Sequence, residues 1–171
     1  MYKLYMMDIK DIKDITLPRD VLNHVNRYKI DERRKESMAG YYILIEGLKD
    51  FGIYDPKINF SFKPKLIGSN IDFSISHDNG IAACAISNEN IGIDIMKIRQ
   101  INIKMLERIL NQNEAMPKND LEYTRLWCMK EAAIKYIASS IPHIKEIDTT
   151  SYLYDIKENN GYVICICYGK I

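Results

Sequence analysis

Two Asn-Gly dipeptides, each between runs of apolar residues, constrain the fold of this 171-residue chain most strongly. They are Asn79-Gly80 in the first half and Asn160-Gly161 near the end. The two central residues of a tight hairpin turn need positive φ angles, which Asn and Gly tolerate best, so each dipeptide predicts a β-hairpin. The predicted strands cover residues 71–86 in the first hairpin and residues 152–156 and 162–168 in the second.

The remaining predicted elements form two halves, each with helices and a strand before its hairpin. In the first half we predict a strand at 2–8, helices at 17–27 and 31–51, with Asp31 as the cap of the second helix, and a strand at 58–62. In the second half we predict a strand at 91–98 and helices at 103–110 and 121–138. The chain is therefore predicted to be α+β, with a first half at 1–90 and a second half at 91–171.

The helix predicted at residues 121–138 carries charges among apolar neighbours. It contains neither Gly nor Pro and is rich in good helix formers. At 3.6 residues per turn, Trp127, Glu131 and Lys135 share one stripe. An ordinary i,i+4 ion pair between Glu131 and Lys135 would explain this pattern. A functional carboxylate within an apolar helix is the alternative, and this helix alone leaves both open.

The strand predicted at residues 91–98 alternates regularly, and it places an acid on one face. Gly92, Asp94 and Met96 lie on that face, and three isoleucines lie on the other. Asp is depleted in strands, and a neighbouring glycine leaves room for something to approach. Asp94 is thus a candidate ligand for a metal, although a solvated face of an antiparallel sheet would accommodate it equally well.

Ser76, His77 and Asp78 lie at the end of the strand that leads into the first hairpin. A histidine beside a turn is more often a surface residue than a ligand. Taken alone, this group of residues predicts no site.

Together the three stretches resemble the motifs of the Sfp-type 4'-phosphopantetheinyl transferases. The family pattern F-N-x-S-H-S matches residues 73–78, G-I-D-I-E matches 92–96, and the W-x-x-K-E-A-x-x-K block lies within 126–135, beginning at Trp127. Lys63-Pro64 is a weaker fourth match. Two departures stand out, since Met96 replaces the second acid of the G-I-D-I-E motif and Asp78 replaces a serine.

The resemblance implies a pseudo-dimer of two similar α+β subdomains with the active site in the cleft between them. It implies Mg²⁺-dependent transfer of the 4'-phosphopantetheine arm from coenzyme A to a serine of an apo acyl or peptidyl carrier protein, with release of adenosine 3',5'-bisphosphate. By this resemblance, Asp94 and Glu131 bind Mg²⁺, Glu131 acts as base, and Lys135 offsets charge on the leaving phosphate.

The resemblance also implies a set of residues that hold coenzyme A. Ser37 aligns with a phosphate-binding hydroxyl of the family, although Glu36 stands where an arginine is usual. A solvated basic edge is the plainer interpretation of the neighbouring basic residues. The expected coenzyme A ligands are Lys63, Ser76, His77, Lys130, Arg34, Lys35 and Ser37.

Composition limits the partners. The 24 basic and 23 acidic residues give a net charge of +1, so bulk charge favours neither nucleic acid nor an anionic membrane as a partner. No run approaches the roughly 18 apolar residues of a spanning helix. The four cysteines have no C-x-x-C spacing. We therefore expect a cytoplasmic protein, monomeric because a pseudo-dimer is complete in one chain.

Two other functions remain open at this stage. A coenzyme A or nucleotide-binding homologue that has lost transfer would fit Met96 and Asp78. A structural α+β protein whose acids only form salt bridges is the third possibility.

Overall fold

The computed structural model describes residues 1–12, 15–138 and 143–171. These residues form two compact units, Met1–Glu89 and Asn90–Ile171. The division falls one residue before the predicted boundary. Helices and strands occur in both units, so the predicted α+β class is confirmed.

The N-terminal unit contains a three-stranded antiparallel sheet covered by a long helix. Its strands are β1 (Tyr2–Asp8), β4 (Asp72–Asp78) and β5 (Ile81–Ser87), and their order is β1-β5-β4. Its helices are α1 (Arg19–Val25) and α2 (Asp31–Lys49), with a 3-10 turn at Ile9–Asp11. The short strands β2 (Ile58–Asn59) and β3 (Lys65–Leu66) pair separately.

Helix α2 lies close against this sheet because two of its residues are glycines. A Cβ atom on Gly40 would lie 2.6 Å from Ile75 Cγ2, and one on Gly47 would lie 2.7 Å from Tyr5 Cε2. The core between helix and sheet is apolar, with Leu44 fully buried. The glycines thus serve helix packing, which offsets their cost in a helix interior of about 1 kcal/mol.

The C-terminal unit repeats this arrangement. Its strands are β6 (Gly92–Lys97), β7 (Tyr152–Asn159) and β8 (Tyr162–Lys170), in the order β6-β8-β7, all antiparallel. Its helices are α3 (Ile103–Ile109) and α4 (Asp120–Ile137), with 3-10 turns at Ile144–Glu146 and Thr149–Ser151. In both units the last strand in sequence is the central strand of the sheet. This common topology agrees with two similar subdomains, and the predicted cleft between them stays a prediction.

Helix α4 packs directly across β6. Its N-cap is Asn119, whose side chain accepts a hydrogen bond of 2.9 Å from the Glu122 amide. A Cβ atom on Gly92 would lie 2.0 Å from the Ala132 carbonyl oxygen and 2.5 Å from the Tyr136 amide nitrogen. Gly92 therefore makes room for the helix backbone, whereas the sequence suggested room for a ligand.

Some predicted boundaries were wrong in detail. Asp31 is not the cap of α2, because Ile30 occupies that position without a side-chain hydrogen bond and Asp31 begins the helix. The first helix is shorter than predicted, since Pro18 is its N-cap. The strand predicted at 58–62 has only two residues. Both hairpins turn at the predicted dipeptides, where all four residues have positive φ.

Candidate functional site

Asp94 lies near the centre of β6, and Lys135 of α4 binds it. The Asp94 side chain is mostly buried, and its Oδ1 atom accepts a hydrogen bond of 2.8 Å from Lys135 Nζ. Lys135 Nζ also donates to the Ile93 carbonyl oxygen at 2.9 Å. The strand acid and the helix lysine predicted from separate motifs are thus in direct contact.

Glu131 lies one turn before Lys135 on α4 and belongs to the same electrostatic cluster. Burial raises the pKa of Glu131, and repulsion from Asp94 raises it further, whereas the Lys135 ammonium opposes the shift. The raised pKa shows that the positive charge of Lys135 does not compensate for burial and the second carboxylate. Such a cluster favours either a proton or an added cation.

Asp94 and Glu131 fit Mg²⁺ by the chemistry of their donor atoms. Both supply hard carboxylate oxygens, and Mg²⁺ is commonly held by one or two carboxylates together with water and substrate phosphates. Across residues 1–12, 15–138 and 143–171, no cluster of three or more His, Cys, Asp or Glu side chains suited to a metal occurs. These two acids would therefore need oxygen ligands from water and substrate.

Met96 occupies the face of β6 that also carries Asp94. It is 8% exposed and belongs to an apolar cluster with Cys128 and Val163. Trp127 packs against the same cluster and makes an edge contact with Tyr123. Met96 and Trp127 thus serve packing in this unit.

Lys130 was predicted to bind coenzyme A, and the structure places its side chain inside the C-terminal unit. Its side chain is 0% exposed, and its Nζ atom lies 2.8 Å from Glu114 Oε2 and donates to the Ile147 carbonyl oxygen. Burial lowers the pKa of Lys130, and Glu114 opposes that shift. The ammonium group is therefore occupied inside the unit. Sequence reasoning missed Glu114, because an acid within a polar loop carries no distinguishing pattern.

Three of the predicted coenzyme A ligands surround one cavity of about 250 Å³ in the N-terminal unit. They are Ser37 from α2, Lys63 from the segment before β3, and His77 from β4. The rest of the lining is largely aromatic and polar, with His24, Tyr28, Tyr41, Ser61, Phe62, Pro64, Phe73, Ser74 and Ile75. The cavity thus offers cationic and hydroxyl donors beside aromatic rings.

Carboxylates hold Lys63 and His77 of this cavity in place. Lys63 forms an ion pair with Asp72, and both side chains are largely buried. His77 Nδ1 lies 3.0 Å from Glu36 Oε2, and the Gly80 amide donates to Glu36 Oε1 at 2.8 Å. Glu36 therefore links the hairpin turn to α2. Its sequence position differed from the family pattern, but nothing in the sequence indicated this contact.

The other predicted coenzyme A ligands lie outside that cavity lining. Arg34 and Lys35 are near the start of α2, where both form ion pairs with the exposed Asp31. Ser76 is buried on β4, and strand alternation places it on the face opposite His77. The cavity thus unites part of the predicted set and leaves these three residues apart.

Comparison with known proteins finds a family match for the segment that contains Asp94, Glu131 and Lys135. Residues 90–167 match the family model described as the 4'-phosphopantetheinyl transferase superfamily. The match covers most of the C-terminal unit. The chain is also 34% identical over 98 residues to the 4'-phosphopantetheinyl transferase gsp of Aneurinibacillus migulanus. That match covers 50% of this chain and 41% of the relative.

The superfamily match confirms the resemblance predicted from the motifs. It covers β6, α3, α4, β7 and most of β8, and so includes both acids that we expected to bind Mg²⁺. No helix within the described ranges combines the length and apolarity needed to cross a membrane.

Proposed function

We propose that the chain transfers the 4'-phosphopantetheine arm of coenzyme A to a serine of an apo acyl or peptidyl carrier protein. The observation that carries this proposal is the cluster of Asp94, Glu131 and Lys135, which α4 and β6 form within the segment that matches the superfamily. Acids are rarely buried unless they are paired or functional, and Glu131 retains a raised pKa despite its lysine. Adenosine 3',5'-bisphosphate is the second product.

The N-terminal cavity is our proposed site for the nucleotide end of coenzyme A. Lys63 supplies a positive charge for a phosphate, and Ser37 and His77 supply hydrogen bonds to phosphate oxygens. The aromatic walls suit a planar base. Ser76, Arg34 and Lys35 remain part of the proposal as weaker contributors, since they lie outside the cavity lining.

Asp94 and Glu131 would hold Mg²⁺, which supplies positive charge to the diphosphate oxygens during transfer. Glu131 is also the proposed base, acting directly or through a metal-bound water. It accepts the proton of the serine hydroxyl as the serine oxygen bonds to the β-phosphorus and the bond from that phosphorus to the bridging oxygen breaks, which releases adenosine 3',5'-bisphosphate. Lys135, which already holds Asp94 in place, neutralises negative charge on the leaving nucleotide.

One observation favours a second candidate, a homologue that binds coenzyme A without transfer. Met96 occupies the position where the family has another acid, and it is packed into an apolar cluster. A weaker metal site would follow from this replacement. Isothermal titration calorimetry with coenzyme A and Mg²⁺ would identify such a protein by binding without modification of any carrier.

The decisive experiment is intact-mass spectrometry of an apo acyl carrier protein and an apo peptidyl carrier protein. Each is incubated with this protein, coenzyme A and Mg²⁺. We expect a mass increase of one phosphopantetheine group, lost with EDTA and with the Asp94→Asn variant. An unchanged mass in both carriers, together with coenzyme A binding, would support the second candidate.

We also propose a monomer in the cytoplasm. The four cysteines, Cys84, Cys128, Cys165 and Cys167, are free and buried, which suits a reducing compartment. Sedimentation of the purified protein tests the oligomeric state.

A further inference from the structure

Glu114 is the centre of a buried polar network that links three segments of the C-terminal unit. Its Oε2 atom is bound by Lys130 Nζ and by the Asn111 amide, both at 2.8 Å. Its Oε1 atom accepts hydrogen bonds from the Thr149 amide at 2.9 Å and from Thr149 Oγ1 at 2.8 Å. The Glu114 side chain is only 3% exposed. Each carboxylate oxygen thus has two donors, and the network is fully satisfied.

This network anchors α4 to the segments that flank it. Lys130, in the middle of α4, contacts two other segments of the unit. Its Nζ atom pairs with Glu114 in the connection after α3 and donates to the Ile147 carbonyl oxygen before β7. Lys135 anchors the same helix to β6, through Asp94 and the Ile93 carbonyl oxygen. The helix is therefore fixed by two buried or partly buried lysines, about 140° apart around its axis at 100° per residue.

Glu131 follows Lys130 directly and precedes Lys135 by one turn. A rotation or a slide of α4 would move the Glu131 carboxylate relative to Asp94, because β6 is a separate element. Close backbone packing at Gly92 limits the slide, and the Lys130 anchor limits the rotation. Such positional control matters because a metal pair depends on the placement of its ligands by their supporting contacts.

We propose that Glu114 and Lys130 are positioning residues that hold Glu131 beside Asp94 for the metal. The catalytic part of this inference rests on the proposed function. The position of α4 does not, and it can be measured separately.

Trp127 makes the helix position measurable. It is the single tryptophan of the chain and lies one turn before Glu131 on α4. Its fluorescence maximum and acrylamide quenching therefore report how α4 is seated. Metal affinity is measured independently, by electron paramagnetic resonance of Mn²⁺ in the presence of coenzyme A and without a carrier.

The variants are Lys130→Met, Glu114→Gln and the double variant that combines them. Each single change leaves a buried partner unsatisfied, whereas the double variant removes both charges together and should recover most of the stability. Glu158→Gln is the matched control, because it breaks the exposed ion pair of Arg125 on α4 with β7. Unfolding by urea is recorded for all of them.

We expect the double variant to regain a near wild-type unfolding midpoint but to keep a shifted Trp127 signal and a Mn²⁺ affinity that is about 10–100-fold weaker. The control should leave both readouts unchanged. Recovery of Trp127 fluorescence and Mn²⁺ affinity along with stability in the double variant would overturn the proposal. Failure of the wild-type protein to bind Mn²⁺ would refute the proposed metal site. In that case the Trp127 signal alone tests the positioning role, and an unshifted signal in the double variant would overturn it.

Discussion

In the N-terminal unit each acid has its own base, since Glu36 contacts His77 and Asp72 contacts Lys63. In the C-terminal unit Asp94 and Glu131 both interact with Lys135. The first arrangement balances acids with bases around a cavity. The second brings two acids to one lysine and raises the pKa of Glu131. Two sheets of the same topology thus carry clusters of different charge balance, even beside the N-terminal cavity and acidic in the C-terminal unit.

The units also differ in which element makes room for close packing. In the N-terminal unit the helix carries the glycines, Gly40 and Gly47, and they face side chains of the sheet. In the C-terminal unit the strand carries Gly92, which faces the backbone of α4. Because a backbone cannot rotate away as a side chain can, α4 is held more rigidly over its strand. The rigid contact lies beside the two acids.

The largest expected effect is on transfer by Glu131→Gln. Loss of a general base lowers the rate by about 10²–10⁴-fold. In the wild type, activity should fall as the pH drops and Glu131 becomes protonated. The effect on stability has the opposite sign. A carboxyl with a raised pKa costs folding energy once it is ionised, so the Glu131→Gln variant should be at least as stable as the wild type at pH 7. The pH profile of kcat/KM and urea unfolding check both expectations.

Wild-type transfer rates in Glu131→Gln, with an unchanged circular dichroism spectrum, would exclude Glu131 as the base.

The next effect is on stability. A Gly92→Ala change should destabilise the protein by about 3 kcal/mol or more, since the new Cβ meets helix backbone that cannot move aside. Gly40→Ala is the matched change in the other unit and should cost about 1–3 kcal/mol, because the Ile75 methyl group can shift. Urea unfolding monitored by circular dichroism measures both. Equal costs would show that α4 is no more rigidly seated than α2.

A smaller effect is expected in the N-terminal cavity. Lys63→Met and His77→Gln should each weaken coenzyme A binding by about 1.5–3 kcal/mol, the range for a hydrogen bond to a charged group. If Lys63 holds the 3'-phosphate, its replacement should cost little with dephospho-coenzyme A. Isothermal titration calorimetry measures both ligands, and Asp72→Asn controls for loss of the buried ion pair. The same penalty with both ligands would exclude the 3'-phosphate as the partner of Lys63.

The smallest effects are expected at the start of α2. Arg34→Ala and Lys35→Ala each remove an exposed ion pair with Asp31 and should change the free energy of unfolding by less than about 1 kcal/mol. Any loss of coenzyme A affinity should be of similar size and should disappear at high salt, because it would be a screened, long-range attraction. A larger loss that persists in salt would mean direct contact with a phosphate.

The sequence predicts the local features of each unit well. Both hairpins follow from Asn-Gly turns, whose φ angles lie between 48° and 89°. Asp94 and Lys135 both lie in the motifs of the resemblance, but their direct contact was not predicted. These predictions succeed because each depends on neighbours within a few residues, or on a pattern shared with other proteins.

Pairings between distant side chains were not predictable. Glu36 and His77 are 41 positions apart, and their contact depends on how α2 crosses β4. Lys130 was expected to face a ligand, but the connection after α3 brings Glu114 over it. No local pattern records which of several polar loop residues will be buried, because tertiary packing decides it.

The position of the last strand in each sheet has a consequence for the order of folding. In the C-terminal unit β6 and β7 are not neighbours, and both pair only with β8 among the described strands. The N-terminal unit has the same dependence on β5. Neither sheet can therefore grow strand by strand along the chain, since the first contact of its opening strand must close a loop of most of the unit. Each sheet should consequently be completed late, when its opening strand docks on the hairpin that its last two strands form.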